Sequence, residues 1–273
     1  MPEDLAGLVA GGVWDQVWAK PGGQVWRVVG PDERVRFVKV GTGAEAAEVV
    51  AEQVRLRWLS GRAGAPLLVG GAPDLDGADL DGAGFDGDAY LVTEARPGLP
   101  AHAAEHRFEV GAVLDGLAAA VAGVHRLVVA DCPFDRRLAV TLPAARDRVG
   151  AGLVDPDELD PAYRRHTPAE LFALLEAARP NHEEDLVVCH GDPCLPNVLL
   201  APGAAQVTGV VDWGRGGVGD RYLYLAPATR SVAANLGAEL VHRFFDAYHR
   251  HAGLDGSPDP QRFDFYVLLD EFF

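Results

Sequence analysis

Residues 190–197 read HGDPCLPN, and fifteen positions after the closing Asn the chain reads Asp212-Trp213-Gly214. Two short β-rich runs bracket the motif: DLVVC ends at Cys189, and QVTGVVD ends at Asp212. No other feature constrains the fold as much. A tight His-Gly-Asp turn, an Asn five residues beyond its Asp and another Asp at a strand end place three oxygen-bearing side chains on a loop and a strand terminus. Those are the positions where a rigid scaffold usually carries its chemistry.

The scaffold reads in two parts. QVWRVV and VRFVKV, from Gln24 to Val40, are separated by GPDER and predict a hairpin. The following AEAAEVVAEQVRLRWL has no Gly or Pro and predicts a helix over 44–59. Six aspartates between Asp74 and Asp88 invite a calcium-loop reading, but the spacing refuses it: counted from Asp74, the fifth residue is Ala78 and the twelfth is Phe85. An acidic hairpin loop is expected there instead. The strand AYLVTEA ends at RPGLP, residues 96–100, which marks a boundary between 1–96 and 97–273. Beyond it GAVLDGLAAAVAGVHRL, PAELFALLEAA and AELVHRFFDAYHRH read as helices. The fold class is α+β, with a small β-rich N-terminal lobe and a larger, mostly helical C-terminal lobe.

Charge narrows the partners. Forty acidic against 24 basic side chains give a formal net charge of -16, which argues against nucleic acid or an anionic membrane and suits a cationic ligand. No apolar run approaches the ~18 residues that span a bilayer, and the opening MPEDLAGLVAGG lacks the positive start of a signal peptide. Cys132, Cys189 and Cys194 form neither a disulfide framework nor a C-x-x-C pair, so a reducing, cytoplasmic setting is expected.

Oxygen donors at this spacing suit phosphoryl transfer, which needs a base near the attacking hydroxyl, Mg²⁺ across the phosphates and a cation on the nucleotide. In the protein-kinase catalytic loop the base is an Asp, one Mg²⁺ ligand is the Asn five residues on, and another is the Asp of a later D-x-G. Asp192, Asn197 and Asp212 stand in that order. Upstream, Lys39 sits between valines in a predicted strand, a poor place for an ammonium without a partner, and Glu52 on the next helix can supply one. Singly, Asn197 could cap a turn, Asp212 could end a strand and Lys39 could face solvent; four such residues in kinase order point to a common centre. A Cys189–His190 nucleophile pair is the weaker reading, because neighbours on a strand point to opposite faces.

With CPFD at 132–135, PAELF at 168–172, DLVVCHGDPCLPN, DWGRGGVGDRY and YVLLDEFF, the chain resembles the aminoglycoside 3'-phosphotransferases over nearly its whole length. The resemblance implies a protein-kinase-like two-lobed fold, a nucleotide-binding lobe over 1–96, and a catalytic and drug-binding lobe over 97–273. It implies phosphorylation of an aminoglycoside 3'-hydroxyl, conferring resistance, with ATP as donor, GTP as a second candidate, and Mg²⁺. Asp192 corresponds to the catalytic Asp, Asn197 and Asp212 to the Mg²⁺ ligands, Lys39 to the phosphate-contacting lysine and Glu52 to its ion-pair partner. Phe37 is placed on the adenine ring, and Thr93 and Ala95 in the hinge that reads the adenine edge. Glu158, Asp160, Arg215, Arg230, Asp270, Glu271 and the carboxylate of Phe273 correspond to the drug site. The partner is thus a small cationic molecule; no oligomeric state follows.

Several positions depart from the family pattern. Tyr224 stands where the family has an Asp that accepts N–H groups of the catalytic loop, so a loosely held HGDPCLPN loop is expected, firmed by Tyr224→Asp, with Asp220 as the other candidate anchor. Pro227 falls in a segment that relatives run as a helix. Ser231, Pro161 and Ala162 replace acids, and KPGGQVW at 20–26 lacks a frequent Ser. Two alternatives stay open: a kinase of this fold acting on another hydroxyl compound, against which the acidic pair of LLDEFF argues, and a catalytically weakened nucleotide-binding homologue.

Overall fold

In the computed structural model, which describes residues 3–73, 87–103, 110–157, 159–181, 185–201, 206–255 and 258–273, the runs after residue 23 pair as the sequence predicts. Strands β2 (Gly23–Val29) and β3 (Val35–Gly41) are antiparallel, with Lys39 opposite Val25. KPGGQVW forms the turn from β1 (Val13–Lys20) into β2, and Thr42 N–H donates to Gly22 O at 2.8 Å, tying that turn to the end of β3. Strands β4 (Leu68–Ala72) and β5 (Ala89–Glu94) complete a sheet of order β1-β2-β3-β5-β4. β5 buries Ala89 to Thr93, as a strand flanked on both sides does. The acidic segment 74–86 lies outside the described residues.

Helix α1 (Glu3–Leu8) adds Leu5 to a core of Val9, Val28, Val38, Tyr90 and Val92. Helix α2 (Ala44–Trp58) packs on β3 and β5 through buried Val49, Val50 and Leu56, each contributing about 1.5–3 kcal/mol. The tight passage from β3 into α2 requires Gly41, where a Cβ would lie 2.4 Å from Glu45 O. A second sheet, of order β6-β8-β9, joins β6 (Leu99–Pro100), β8 (Val198–Leu200) and β9 (Val207–Val210). Contacts group residues 1–108 with 196–215, and residues 109–195 with 216–273.

The second unit is built on helices. α3 (Val110–His125) buries Val113, Leu114, Leu117, Val121 and Val124 and packs chiefly on α7 (Val241–Ala252). α4 (Leu138–Gly150) and α8 (Pro260–Asp270) flank α5 (Pro168–Ala177), whose start carries a capping box between Thr167 and Glu170. Strand β7 (Leu186–Cys189) pairs with β10 (Gly217–Asp220). α6 (Tyr222–Asn235) runs unbroken through Pro227, which removes one N–H from its ladder, and it is buried along most of its length. No helix among the described residues is long and apolar enough to cross a membrane.

Candidate active site

In the first unit, β3 and α2 bring Lys39 and Glu52 together. Lys39 Nζ lies 2.8 Å from Glu52 Oε2 and 2.9 Å from Asp212 Oδ1. The other Glu52 oxygen accepts Trp213 N–H at 3.3 Å, so one buried carboxylate orders both the lysine and the Asp-Trp-Gly segment. Burial works against the Lys39 charge, but the Glu52 and Asp212 carboxylates overcome it and hold the ammonium above its usual pKa. Burial pushes Glu52 up, against the pull of Lys39. Trp213 is buried and donates its ring N–H to Val210 O at 2.9 Å, which fixes the segment after β9.

Asp212 adopts a left-handed backbone with φ of 65°, uncommon for a residue with a side chain, and its carboxyl group stays half-exposed. Asn197 ends a 3₁₀ turn over Leu195–Asn197, and its carbonyl accepts Val211 N–H at 2.9 Å, which ties it to the residue before Asp212. One carboxylate and one amide are oxygen donors of the kind Mg²⁺ takes, and Mg²⁺ commonly binds one or two protein ligands and completes its shell from phosphates and water. The residues present therefore fit that ion. Among the described residues no cluster of three or more His, Cys, Asp or Glu could hold a metal.

The adenine candidates lie on neighbouring strands: Phe37 and Thr93 are directly opposite in the β3–β5 pairing. Ala95 N–H donates to Val35 O at 3.0 Å and is already engaged in the sheet. Arg215 is half-buried in the same unit.

Asp192 belongs to the second unit. It follows Gly191, whose φ of 98° lets the chain turn sharply after buried His190, and Asp192 N–H donates to His190 Nδ1 at 3.3 Å. That bond assigns the His190 proton to Nε2. Cys189 is buried and donates its thiol to Asp220 O at 3.4 Å; burial pushes its pKa up, which leaves the Cys189–His190 pair without a nucleophile.

The loop is held differently from expectation. Leu195 N–H donates to Ser231 Oγ at 2.8 Å, whereas Tyr224 is buried with its hydroxyl unpartnered among the described residues. Asp220 accepts Tyr222 N–H and pairs with Arg262 rather than with the loop. The sequence marks Ser231 only as a departure from an acid, and its contact with the loop is what sequence reasoning missed. Its available signal was a hydroxyl seven residues after Tyr224 on one helix.

Five of the residues expected at a drug site fall in the second unit's described part. Arg230 Nη1 lies 2.6 Å from Asp270 and Nη2 lies 2.7 Å from Glu271 Oε1, while Glu271 Oε2 accepts Asp160 N–H at 2.9 Å. Burial pushes the Glu271 pKa up, opposed by that N–H and by Arg230. The Phe273 ring lies under the Arg136 and Arg148 guanidiniums, at 5.4 and 5.8 Å. Glu158 lies outside the described residues.

Comparison with known proteins supplies the context. Residues 22–266 match the family described as the phosphotransferase enzyme family. An aminoglycoside 3'-phosphotransferase of Streptomyces fradiae is 43% identical over 68% of this chain and 68% of its own. A streptomycin 3''-kinase of Streptomyces griseus is 40% identical over 95% of this chain and 92% of its own. The crystal structure of a type VIII aminoglycoside 3'-phosphotransferase superposes with a TM-score of 0.84 at 38% identity, covering 99% of this chain and 97% of that one.

Proposed function

The chain belongs to the phosphotransferase enzyme family, among its aminoglycoside phosphotransferases, and from that premise we propose that it transfers the terminal phosphate of ATP to the 3'-hydroxyl of an aminoglycoside, inactivating the drug. The observation that carries this reading is the Lys39–Glu52–Asp212 cluster, in which an ammonium is held charged by two carboxylates on separate elements. Lys39 binds the phosphates, and Phe37 with the Thr93–Ala95 segment receives adenine, though not through the Ala95 N–H, which Val35 O already accepts. Asn197 and Asp212 hold Mg²⁺, which supplies positive charge against the phosphates when bound. Asp192 takes the proton from the drug hydroxyl as that oxygen attacks.

Asp160 and Asp270, both partly exposed, provide carboxylates for drug ammonium groups, while Arg230 and the Asp160 N–H hold the buried carboxylate of Glu271. Use of ATP suits a reaction in the cytoplasm. The streptomycin 3''-kinase, similar over nearly the whole chain, favours a second reading in which a 3''-hydroxyl is the acceptor. Purified protein with ATP, Mg²⁺ and either kanamycin or streptomycin decides between them. ADP release with kanamycin and a phosphate located on the 3'-oxygen by NMR is expected; turnover confined to streptomycin moves the assignment to 3''.

A further inference from the structure

Leu195 lies three residues after Asp192 and two before Asn197, is fully buried, and donates its N–H to Ser231 Oγ at 2.8 Å. Helix α6 sets that oxygen in place. Tyr224 and Ser231 are seven residues apart, two turns along one face of the helix. One turn further, Asn235 donates its side-chain amide to Ser231 O at 2.8 Å and approaches Ser231 Oγ at 3.4 Å. At the other end of the stripe the Tyr224 ring packs on His190, with centroids 6.0 Å apart. His190 in turn accepts Asp192 N–H. The same helix face therefore meets the loop on both flanks of Asp192, through a ring before it and a hydroxyl after it.

A hydroxyl suits this place better than a carboxylate. A buried acceptor has to satisfy one N–H, and a neutral oxygen does so without the desolvation that a charge incurs. Ser231 is only 8% exposed and its oxygen is engaged, so it is poorly placed to meet a drug ammonium.

We propose that Ser231 is a positioning residue for phosphoryl transfer: by accepting Leu195 N–H it fixes the short segment between Asp192 and Asn197, the task that the family pattern gives to an acid at 224. This role rests on the phosphotransferase reading above, and the test separates the two. The wild type, Ser231→Ala and Ser231→Thr are compared in kcat, in KM for ATP and for the accepted aminoglycoside, and in amide exchange of Leu195 by NMR without substrates.

Displacement of a catalytic group by about 1 Å can lower the rate on the order of 100-fold, so Ser231→Ala is expected to lose roughly 10- to 100-fold in kcat. Both KM values are expected to stay within about twofold, because binding groups are left intact. Exchange at Leu195 accelerates in Ser231→Ala, and Ser231→Thr, which keeps the hydroxyl, returns both exchange and kcat towards wild type. Unchanged Leu195 exchange in Ser231→Ala overturns the anchor whatever the kinetics. A raised drug KM with kcat retained overturns it in favour of a drug contact, and a Thr variant as slow as Ala overturns it in favour of plain packing. A wild-type protein that transfers no phosphate to any aminoglycoside overturns the proposed function and with it the catalytic role, leaving exchange to decide the anchor alone.

Discussion

Lys39 Nζ and Glu52 Oε2 lie 2.8 Å apart across thirteen residues of chain, and only 7% of the Glu52 side chain is exposed. Removing one partner of a buried pair leaves the other uncompensated, at about 3–5 kcal/mol. Lys39→Met is therefore expected to abolish turnover and to lower the urea midpoint, because Glu52 then faces Asp212 with no cation between them. Lys39→Met/Glu52→Gln is expected to recover part of the midpoint, since Gln keeps an acceptor for Trp213 N–H without the charge, while turnover stays lost. A double variant no more stable than the single one would show that unpaired charge is not the cause.

Asp192→Asn tests the base. General-base catalysis contributes about 10²- to 10⁴-fold, so turnover is expected to fall by at least 100-fold while nucleotide affinity, measured calorimetrically with ADP, is unchanged. A loss below about 10-fold in turnover removes Asp192 from that role.

Asp270→Asn removes a charge from the acidic face while keeping an acceptor for Arg230, which lies 2.6 Å away. A charge-assisted hydrogen bond contributes about 1.5–3 kcal/mol, so KM for the aminoglycoside should rise roughly 10- to 100-fold with KM for ATP unchanged. Steady-state kinetics with each substrate varied in turn checks this; an equal effect on both substrates places Asp270 outside the drug site.

What the sequence revealed, and what it hid, follows from the range of the interactions. The hairpin of β2 and β3 and the helix α2 were legible because their signals are local: GPDER between two β-rich runs, then fifteen residues without Gly or Pro. Lys39 with Glu52 was legible because an isolated lysine among valines demands a partner. Strand β10 was not, since GVGD has neither length nor alternation and is set by pairing with β7. The contact of Ser231 escaped for the same reason. Its partner, Leu195 N–H, is a backbone group thirty-six residues away, and a hydroxyl seven residues after Tyr224 does not by itself name that partner.

His125 makes the fold acid-sensitive. Its Nδ1 lies 2.8 Å from Tyr248 OH, which also accepts from Arg221, itself paired with Asp185. Burial first, and then the Arg221 charge, lower its pKa to about 3. An unfolded histidine titrates near 6.5, so the unfolded chain binds more protons below that value. The stability His125 contributes is present above pH ~6.5 and is lost as pH falls towards ~3, at up to about 1.4 kcal/mol per pH unit. His125→Gln is expected to flatten the fall in urea midpoint between about pH 6.5 and 5, and parallel curves for the two proteins would assign the acid sensitivity to other groups.

Tyr224 gives the last prediction, and it reverses the expectation attached to the family pattern. The Tyr224 ring is buried between His125 and His190, at 5.0 and 6.0 Å, and neither its hydroxyl nor His125 Nε2 has a partner among the described residues. Burial raises its pKa well above the usual value, and Cys189, Asp192 and Cys194 raise it further, so the surroundings disfavour negative charge. A carboxylate at 224 would meet that same field, and Ser231 already satisfies Leu195 N–H. Tyr224→Asp is therefore expected to lower Tm. Tyr224→Phe keeps the ring and removes an unpaired hydroxyl whose desolvation costs about 1–3 kcal/mol, so it should raise stability by about 1 kcal/mol or more. In a chain of this size that corresponds to about 2–4 °C in Tm. Calorimetry of the three proteins measures it. A Tm for Tyr224→Phe below that of the wild type would mean that the hydroxyl and His125 Nε2 share a buried water, which the phenylalanine would strand on the histidine.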